Sequence, residues 1–282
     1  MALFSDILLT VDYDRTLTAP DGSIPERNLA AIRYFMENGG AFTMNTGRSL
    51  PMIRHMLDLV PTNAPLLLYN GSAAYDLTTE QMLFSYPIQL DTWETVNKIR
   101  QLLPDLTLEL QGTDAHYCFK KDPAWDAFCD YQHCAKGLAR PGDDLGPFLK
   151  LALFGEFRDA SISSLYDATE EELRQMDEAE KLLCEHFGDQ CIVYRACARI
   201  LDIHAKGVSK ANAARKLQQQ SGRKWLVCVG DGENDVAMLQ AADFAYAPAD
   251  GVVADRFETV CDCKNGAVAD VIYEKIPEIL KK

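Results

Sequence analysis

The chain has 282 residues, of which 48% are apolar, so it is long enough to bury one large or two medium hydrophobic cores. Its 28 Lys and Arg stand against 42 Asp and Glu, and the net charge of −14 repels nucleic-acid phosphates and anionic lipid surfaces at long range. We therefore expect no nucleic acid and no membrane among its partners. A small anionic substrate stays compatible with this charge, because a pocket needs only a few local positive groups.

Hydropathy and cysteine usage indicate the cellular compartment in which the protein is expected. No apolar run approaches the length of about 18 residues that a membrane-spanning helix needs. The N-terminal apolar stretch has no basic start and is interrupted by Asp6, so it is unlike a secretion signal. Nine cysteines without a C-x-x-C pair favour reduced thiols over a disulfide framework, and the pair Cys261 and Cys263 lacks the four-ligand set typical of zinc. These features predict a cytoplasmic protein.

The N-terminal part of the chain alternates short apolar runs with a helical pattern. The runs "ILLTV", "AFTMN" and "APLLLYNG" are each followed by polar or glycine-rich residues. Between the first two, "SIPERNLAAIRYFMENGG" predicts a helix, with Ser23 and Glu26 at the spacing of a capping box and Gly39 as the stop. This alternation is typical of βαβ units and predicts a parallel sheet.

The middle of the chain, from about Tyr86 to Ala205, has a different pattern. It combines helical patterns, "DTWETVNKIRQLL" and "TEEELRQMDEAEKLLCEHFG", with the strand-like runs "LTLELQ", "HYCFK", "FLKLALFGEF", "CIVYRA" and "RILDIH". Polar and apolar residues alternate more in these strands than in the flanking ones, which predicts an antiparallel sheet with one solvent-exposed face. We therefore predict an α+β domain, residues 86–205, inserted into a core that residues 1–85 and 206–282 form together.

The last part of the chain returns to the first pattern. "VSKANAARKLQQQSG" predicts a helix that Ser209 caps, "KWLVCVG" predicts a buried strand, and "NDVAMLQAADFA" predicts another helix directly after the turn 230–232. The fold class is therefore α/β, with a parallel-sheet core that carries the inserted α+β domain.

Polar clusters follow the predicted core strands. "DYDRT", "NTGRS" and "YNG" follow the first three strands, "GDGEND" follows "KWLVCV", and "GVSK" opens a helix. Ligands collect at the carboxyl ends of the strands in an open parallel sheet, so we expect these clusters to converge. Each cluster alone is equally compatible with a helix cap or an Asx-turn, and Lys210 alone with a solvated lysine. Their combination favours a functional site.

The chemistry of these clusters indicates a metal ion and a phosphoryl group. Carboxylate oxygens are the ligands that Mg²⁺ prefers, and a hydroxyl on Thr46 and an ammonium on Lys210 suit the oxygens of a phosphoryl group. The carboxylates in question are those of Asp12, Asp14, Asp231 and Asp235.

In this order, "DYDRTLT", "NTGR", "GVSK" and "GDGENDVAML" resemble the four motifs of the haloacid dehalogenase superfamily. "LLLYNGSAAYD" resembles a further landmark of its Cof-type sugar-phosphate phosphatases. The similarity covers nearly all of the core, whereas the middle domain matches mainly in size and placement. The resemblance implies a Rossmann-like core with a large cap inserted after the third strand. It also implies Mg²⁺-dependent hydrolysis of phosphate monoesters, such as sugar phosphates or a phosphorylated cofactor.

The resemblance also implies roles for individual residues. Asp12 would be the nucleophile that becomes a transient aspartyl phosphate, and Asp14 would protonate the leaving alkoxide and then activate water. A carboxylate is a competent nucleophile only when its charge and that of the substrate are neutralised, which Mg²⁺ and Lys210 can do. The implied metal ligands are Asp12, the main-chain carbonyl of Asp14, Asp231 and Asp235. The implied substrate-binding residues are Thr46, Gly47, Arg48, Asn70, Gly71, Lys210 and Asn234.

Two arginines leave alternatives open. Arg15 occupies a position where the family usually has Gly. If its φ is positive, the residue adds a conformational strain of roughly 1–2 kcal/mol. If its φ is negative, arginine fits without strain, and its guanidinium either binds an anion or faces solvent. Arg48 is compatible with a phosphate-proximal role and with a structural salt bridge. Ala211 replaces another common glycine and, being small, is expected to be tolerated. In the cap, the candidates for selecting the substrate are His116, Tyr117, Lys120 and Lys121.

Three rival functions are compatible with parts of this pattern. A phosphomannomutase-like phosphotransferase is similar in "DYDRTLT" followed by "AP", but "GDGENDVAML" is closer to the phosphatases. A signalling receiver is disfavoured because Asp14 follows Asp12 on the same strand end and because that fold has no place for the large insertion. A non-catalytic phosphate-binding relative is the alternative that Arg15 raises. The presence of every expected site residue counts against it, namely Asp12, Asp14, Thr46, Lys210, Asp231 and Asp235. For all of these the expected partner is a small phosphorylated molecule, and the chain is a monomer or a homodimer.

Overall fold

The computed structural model describes residues 2–281. Its strands are β1 (Ile7–Val11), β2 (Ala41–Met44), β3 (Leu66–Leu68), β4 (Ala73–Asp76), β5 (Gln81–Ser85), β6 (Thr107–Gly112), β7 (His116–Cys118), β8 (Lys136–Leu138), β9 (Phe148–Phe154), β10 (Cys191–Cys197), β11 (Ile200–Ala205), β12 (Trp225–Val229), β13 (Phe244–Pro248) and β14 (Glu258–Val260). Its α-helices are α1 (Glu26–Glu37), α2 (Leu50–Ile53), α3 (Thr92–Leu102), α4 (Pro123–Tyr131), α5 (Glu170–Phe187), α6 (Lys210–Ser221), α7 (Val236–Ala241), α8 (Ala267–Asp270) and α9 (Ile276–Ile279).

The chain divides into two compact units. The first comprises the residues up to Gly47, residues 56–84 and the residues from Ser209 onward, and the second comprises residues 48–55 and 85–208. The segment 48–55, which includes α2, carried no signal in the sequence for membership of the second unit. The chain therefore passes into the second unit twice, once directly after "NTG" and once at the end of β5.

The first unit is built on a five-stranded parallel sheet, as the sequence predicts. Its strand order is β14-β13-β12-β1-β2, and β1 pairs in parallel with both β12 and β2. Every residue of β1 is buried because the strand lies inside the sheet, which explains its continuous apolar run. Val11 lies opposite Val229 and Met44, so the residues that follow these three strands emerge at the same edge of the sheet.

The third predicted core strand has a different pairing from the expected one. β3 belongs to a separate three-stranded sheet with β4 and β5, and it runs antiparallel to β4. It meets the parallel sheet through a bridge between Asn45 and Leu67 and through the hydrogen bond from the Thr46 amide to the Leu67 carbonyl, 2.9 Å. This attachment still places the residues after β3 beside those after β2.

Helix α1 is confirmed, but its predicted capping box is wrong. Its N-cap is Pro25, without a side-chain cap, and Asp21 accepts hydrogen bonds from both the amide and the hydroxyl of Ser23 instead. Ser209 does cap α6 as predicted, because its hydroxyl accepts a hydrogen bond from the Asn212 amide at 3.0 Å. Lys210 is therefore held at the first position of a well-defined helix.

The second unit contains a six-stranded sheet in the order β10-β11-β9-β6-β7-β8, antiparallel except for the β7–β8 pair. One face packs on α3 and α5, through residues such as Val96, Leu151 and Leu183. The other face packs on α4, through Trp125 and Phe128. The predicted solvent-exposed face is therefore wrong.

The error has a physical reason. The polar residues that created the alternation in the strands are buried rather than exposed. They form a buried polar layer in which Gln111 donates a hydrogen bond to Glu109, and Lys150 donates one to Asp202. They are Glu109, Gln111, Lys150, Asp202 and His204.

Within residues 2–281, no helix combines the length and the apolar character that crossing a bilayer requires. All nine cysteines are free thiols.

Candidate active site

The carboxyl ends of the central strands bring the polar clusters of the first unit together. Asp12 directly follows β1, and its amide donates to the Val229 carbonyl at 2.9 Å, so it is fixed against the end of β12. Asp231 follows β12 after one glycine, and Asp235 ends the next helical turn. Residues from opposite ends of the chain thus share one edge of the sheet.

Three buried carboxylates form the centre of the site. One oxygen from each of Asp12, Asp231 and Asp235 lies within 4.8 Å of the other two. Asp235 is oriented by the backbone amides of Asp231 and Gly232, which donate to its Oδ2 at 3.1 and 3.0 Å. The hydroxyl of Thr16 donates to Asp231 Oδ1 at 2.9 Å.

Lys210 links two of these carboxylates. Its ammonium Nζ donates to Asp12 Oδ1 at 2.5 Å and to Asp235 Oδ1 at 2.7 Å, and its side chain is 1% exposed. The amide of Asn45 donates to the main-chain carbonyl of Lys210 at 2.9 Å, which ties α6 to the end of β2. The ammonium is therefore held rigidly against the carboxylate cluster.

Burial and mutual repulsion perturb the protonation of these groups. Burial raises the pKa of Asp12 well above its usual value, repulsion by Asp235 and Asp231 raises it further, and Lys210 opposes the shift. Burial and repulsion by Asp235 raise the pKa of Asp231 to about 7. Burial alone would lower the pKa of Lys210, but the attraction of Asp12 and Asp235 outweighs it, so this pKa is raised and the ammonium stays charged.

The donor set fits a divalent cation of the Mg²⁺ type. Three ionised carboxylates and one ammonium leave a net charge of −2 in a buried volume, which a divalent cation would neutralise. The three clustered groups are all oxygen donors, as hard cations such as Mg²⁺ require. The residues that could hold the ion are therefore Asp12, Asp231 and Asp235.

The corner around Asn70 is built on unusual backbone. Asn70 has a φ of +54°, in the left-handed region, and its amide donates to the Thr46 carbonyl at 2.9 Å. Its Oδ1 accepts a hydrogen bond from the Asn234 amide at 3.5 Å. A Cβ on Gly47 would come within 2.9 Å of the same Oδ1, so the side chain of Asn70 would have to shift if another residue stood at this position. The predicted residues Thr46, Gly47, Asn70 and Asn234 are thus neighbours.

Gly71 allows the same corner to contact the start of α6. Its φ is +95°, and a Cβ there would lie 2.3 Å from the main-chain oxygen of Ser209, which no side chain can tolerate. The close packing sets Asn70 and Lys210 on adjacent elements of the first unit. Gly71 thus shapes the site through its backbone.

The turn after β1 settles the question about Arg15. Arg15 has φ +60° and ψ +9°, in the left-handed region, so the alternative with a negative φ is wrong. Its amide donates to the Thr18 hydroxyl at 3.2 Å. Its charge opposes the rise in the pKa of Asp231, and Asp14 contributes to the rise in the pKa of Asp12. Both side chains of this turn therefore act electrostatically on the carboxylate cluster.

Arg48 belongs to the second unit. Its guanidinium is buried and donates to Gln132 Oε1 at 2.9 Å. Its role in phosphate binding stays a prediction.

The cap candidates occupy different environments. His116 is buried, with its Nε2 2.7 Å from the hydroxyl of Ser49, and Tyr117 is half-buried. Lys120 and Lys121 are exposed and line a cavity of about 480 Å³ in the second unit. Of the four, these two lysines are accessible to a ligand.

Thr16 contacts the carboxylate cluster, although the sequence motifs gave it no role. Its hydroxyl orients Asp231, although the two residues are 215 positions apart. The available signal was its place two residues after Asp14 in "DYDRT", at the same strand end as the predicted acids.

Comparison with known proteins gives matches over most of the chain. The family model of the haloacid dehalogenase-like hydrolases matches residues 9–272. The uncharacterized hydrolase C215.10 of Schizosaccharomyces pombe is 23% identical, over 94% of this chain and 89% of its own length. The 5-amino-6-(5-phospho-D-ribitylamino)uracil phosphatase YbjI of Escherichia coli is 23% identical, over 85% of this chain and 84% of its own length.

A solved structure shares the fold over nearly the whole chain. The HAD subclass IIB sugar phosphatase BT4131 has a TM-score of 0.73 at 17% identity, covering 96% of this chain and 99% of that one. The parallel sheet and the additional cap sheet are thus features of a fold known from other proteins.

Proposed function

Since the chain belongs to the haloacid dehalogenase-like hydrolases of the Cof type, we propose that it is a phosphatase that hydrolyses small phosphate monoesters with the help of Mg²⁺. The observation that carries the proposal is the position of Lys210, whose ammonium bridges Asp12 and Asp235 at 2.5 and 2.7 Å beside Asp231. An ammonium and clustered carboxylates at one strand edge are what a metal-bound phosphoryl group requires.

The metal ion is assigned to the carboxylates of Asp12, Asp231 and Asp235 and to the main-chain carbonyl of Asp14. When bound, it supplies positive charge that offsets the three carboxylates and the phosphoryl oxygens. Lys210 offsets part of the same charge and, because its pKa is raised, stays protonated at neutral pH. Both effects favour the ionised, nucleophilic form of Asp12 over the protonated form that burial favours.

The proposed reaction has two steps. In the first, a carboxylate oxygen of Asp12 attacks phosphorus, the bond to the leaving oxygen breaks, and that oxygen takes a proton from Asp14. In the second, a water oxygen attacks phosphorus, its proton passes to Asp14, and the bond between phosphorus and Asp12 breaks. Inorganic phosphate and an alcohol result, and both aspartates return to their starting protonation states.

Residues of the neighbouring loops are proposed to bind the phosphoryl oxygens. Thr46 supplies a hydroxyl, Gly47 and Gly71 allow backbone to approach closely, and Asn70 and Asn234 supply amides that are already linked to each other. The proposed substrates are small phosphorylated metabolites. The names of YbjI and BT4131, a phosphoribitylaminouracil phosphatase and a sugar phosphatase, make sugar phosphates and phosphorylated cofactor precursors the first compounds to test.

The test is the hydrolysis of p-nitrophenyl phosphate and of a panel of metabolite phosphates, with Mg²⁺ and with excess EDTA. We expect turnover that needs the metal and needs no bisphosphate activator, whereas a phosphomannomutase-like enzyme would depend on such an activator. Asp12→Asn should reduce the rate at least 10³-fold, because an amide is a poor nucleophile of the same shape. Asp255→Asn, which neutralises an exposed carboxylate, is the matched control and should retain the rate.

Two results would overturn the proposal. One is a folded protein that hydrolyses none of the esters in Mg²⁺, which would favour a non-catalytic relative. The other is near-normal turnover by Asp12→Asn.

A further inference from the structure

The second unit contains its own buried group of possible metal ligands. Glu109 lies on β6, His116 on β7 and Cys129 on α4, and these side chains are at most 1% exposed. One ligand atom from each lies within 4.8 Å of the other two. Three chain segments that are far apart in sequence thus direct an oxygen, a nitrogen and a sulfur atom to one point.

The separations suit a small tetrahedral ion. His116 Nδ1 is 3.2 Å from Glu109 Oε1, and Cys129 Sγ is 3.9 Å from Glu109 Oε2. With zinc bonds of about 2.0–2.1 Å to nitrogen or oxygen and about 2.3 Å to sulfur, tetrahedral ligands are about 3.3–3.6 Å apart. The two observed separations end on different oxygens of the Glu109 carboxylate and differ from these values by a few tenths of an ångström. Small side-chain rotations can therefore bring one of these oxygens, the nitrogen and the sulfur around one ion.

The imidazole of His116 provides a second, independent observation. Its Nδ1 is buried and makes no hydrogen bond, although it faces the carboxylate of Glu109. Its Nε2 is 2.7 Å from the hydroxyl of Ser49. The outer nitrogen is therefore engaged, while the inner nitrogen is directed into the cluster without a hydrogen bond, which is costly for a buried polar atom unless a metal cation, or a proton shared with Glu109, occupies the space.

The surroundings resemble the outer shell of a metal site in their chemistry. A metal-bound imidazole commonly engages its other nitrogen in a hydrogen bond, as Ser49 does here, and metal-bound carboxylates are themselves hydrogen-bonded. Trp125 Nε1 and Gln111 Nε2 each donate to Glu109 at 2.5 Å, one to each carboxylate oxygen. These two donors fix the orientation of the carboxylate and leave one lone pair on each oxygen.

We propose that Glu109, His116 and Cys129 form a binding site for a divalent transition-metal ion of the zinc class. Imidazole and thiolate ligands favour such an ion over Mg²⁺, whereas the oxygen-only cluster of the first unit has the opposite preference. Binding requires that the Cys129 thiol release its proton to solvent, so that a thiolate meets the metal. The ion would cross-link β6, β7 and α4, and its role would be to stabilise the second unit.

A metal-free alternative exists for the same contacts. A protonated His116 and an ionised Glu109 would form a buried ion pair: burial raises the pKa of Glu109, but His116 outweighs it and the pKa is lowered. In that case the cluster binds no metal and Cys129 stays a thiol. The experiment has to separate these two states.

The experiment uses Co²⁺ as the probe, because a thiolate bound to Co²⁺ gives a near-ultraviolet charge-transfer band that oxygen ligands cannot give. The full chain is stripped of metal by a chelator under reducing conditions and titrated with Co²⁺. We expect a thiolate band that saturates at about one equivalent and disappears when Zn²⁺ is added. Cys129→Ser should abolish the band. Cys228→Ser, which alters an equally buried cysteine in the first unit, is the matched control and should keep it.

A second measurement covers the case in which Cys129→Ser does not fold. With excess Mg²⁺ present to occupy the carboxylates of the first unit, Zn²⁺ should then still raise the unfolding temperature of the metal-stripped wild-type chain, because an ion that binds only the folded state stabilises it. Glu109→Gln should weaken Co²⁺ binding at least tenfold. No thiolate band in the wild-type chain, or a band that survives in folded Cys129→Ser, would overturn the proposal. Phosphatase activity in Mg²⁺ is measured separately, so a failure here is distinct from a failure of the proposed function.

Discussion

Arg15 offers a quantitative test of how the turn after β1 is built. The residue has φ +60° and ψ +9°, a left-handed conformation that side chains with a Cβ adopt at a cost. The informative perturbation is Arg15→Gly compared with Arg15→Ala. Both variants remove the guanidinium, and they differ only in the Cβ that the left-handed backbone opposes.

The magnitude follows from two opposing terms. A non-glycine residue in the left-handed region costs roughly 1–2 kcal/mol. Glycine loses more conformational freedom on folding than alanine does, by about 0.5–1 kcal/mol. The difference predicts that Arg15→Gly is more stable than Arg15→Ala by about 1 kcal/mol. For a domain of roughly 150 residues this corresponds to about 2–4 °C in the unfolding temperature.

The assay is denaturant and thermal unfolding of the two variants, with Arg15→Lys as a control that keeps both the Cβ and the positive charge. We expect Arg15→Lys to resemble the wild type and Arg15→Gly to exceed Arg15→Ala. If Arg15→Gly is equal to or less stable than Arg15→Ala, the strain of the left-handed conformation does not exceed the entropic cost of glycine, and the reasoning is refuted. A gain in stability that reduces phosphatase turnover would show that the strain contributes to function.

Three further predictions concern the site and the cap. Without metal, the folded protein should lose stability as the pH rises from about 4 to about 7, because folding raises the pKa of Asp231 from 3.8 to about 7 and the folded state then binds more protons than the unfolded state. At 1.36 kcal/mol per pH unit the loss is at most about 4 kcal/mol, and a free energy of unfolding that is independent of pH in EDTA would contradict the prediction. Thr16→Val should lower the free energy of unfolding in urea by about 1–3 kcal/mol, since it removes a hydrogen bond to the buried Asp231 carboxylate. The control is Thr10→Val, which alters an equally buried hydroxyl that lies 3.9 Å from the sulfur of Met238 and should cost less; equal losses would count against the role of Thr16. Replacing Lys120 and Lys121 by Ala should change kcat/KM among metabolite phosphates more than on p-nitrophenyl phosphate, and a uniform loss would argue against substrate selection by these residues.

The fold was predictable where local pattern and burial agree. The run "ILLTV" is continuous because β1 is buried on both faces, and Ser209 caps α6 through the hydrogen bond that its hydroxyl accepts from the Asn212 amide. The prediction for Ser23 failed because Asp21, two residues earlier, accepts its hydrogen bonds. Such local competition between acceptors is invisible in a capping pattern that considers only the helix.

The first-unit site was predictable because parallel strands carry their carboxyl ends to one edge. That rule places Asp12 and Asp231 together although 218 residues separate them in the chain, since their strands are neighbours. It cannot specify that Lys210 contacts Asp12 and Asp235 simultaneously, because this depends on the packing of Gly71 against the start of α6. The sequence thus predicts which residues meet, and the packing determines which atoms do.

The cluster of Glu109, His116 and Cys129 was not predictable. An alternation of polar and apolar residues along a strand does not distinguish a solvent-exposed face of the sheet from a buried polar layer. Glu109 and His116 occupy positions that would face solvent in an ordinary antiparallel sheet, and α4 covers them. Cys129 joins them from a helix whose periodic pattern indicates only an apolar face. A polar residue on a covered face must find a partner inside the protein, so an unexpected buried layer of this kind points to ion pairs or to metal ligands.

The two buried groups of possible metal ligands differ in how their negative charge can be neutralised. In the first unit, three carboxylates face one ammonium, so full ionisation leaves a charge of −2 that no side chain in the cluster balances. In the second unit, Glu109 faces one imidazole, and protonation of His116 alone makes the pair neutral. The first cluster therefore depends on a cation to ionise fully, whereas the second can exist in a neutral state without one. Removal of the metal by a chelator should accordingly favour the protonated forms of Asp12 and Asp231, whatever the outcome of the cobalt titration. The uncompensated charge of −2 follows from the number of carboxylates in the cluster and not from the second unit.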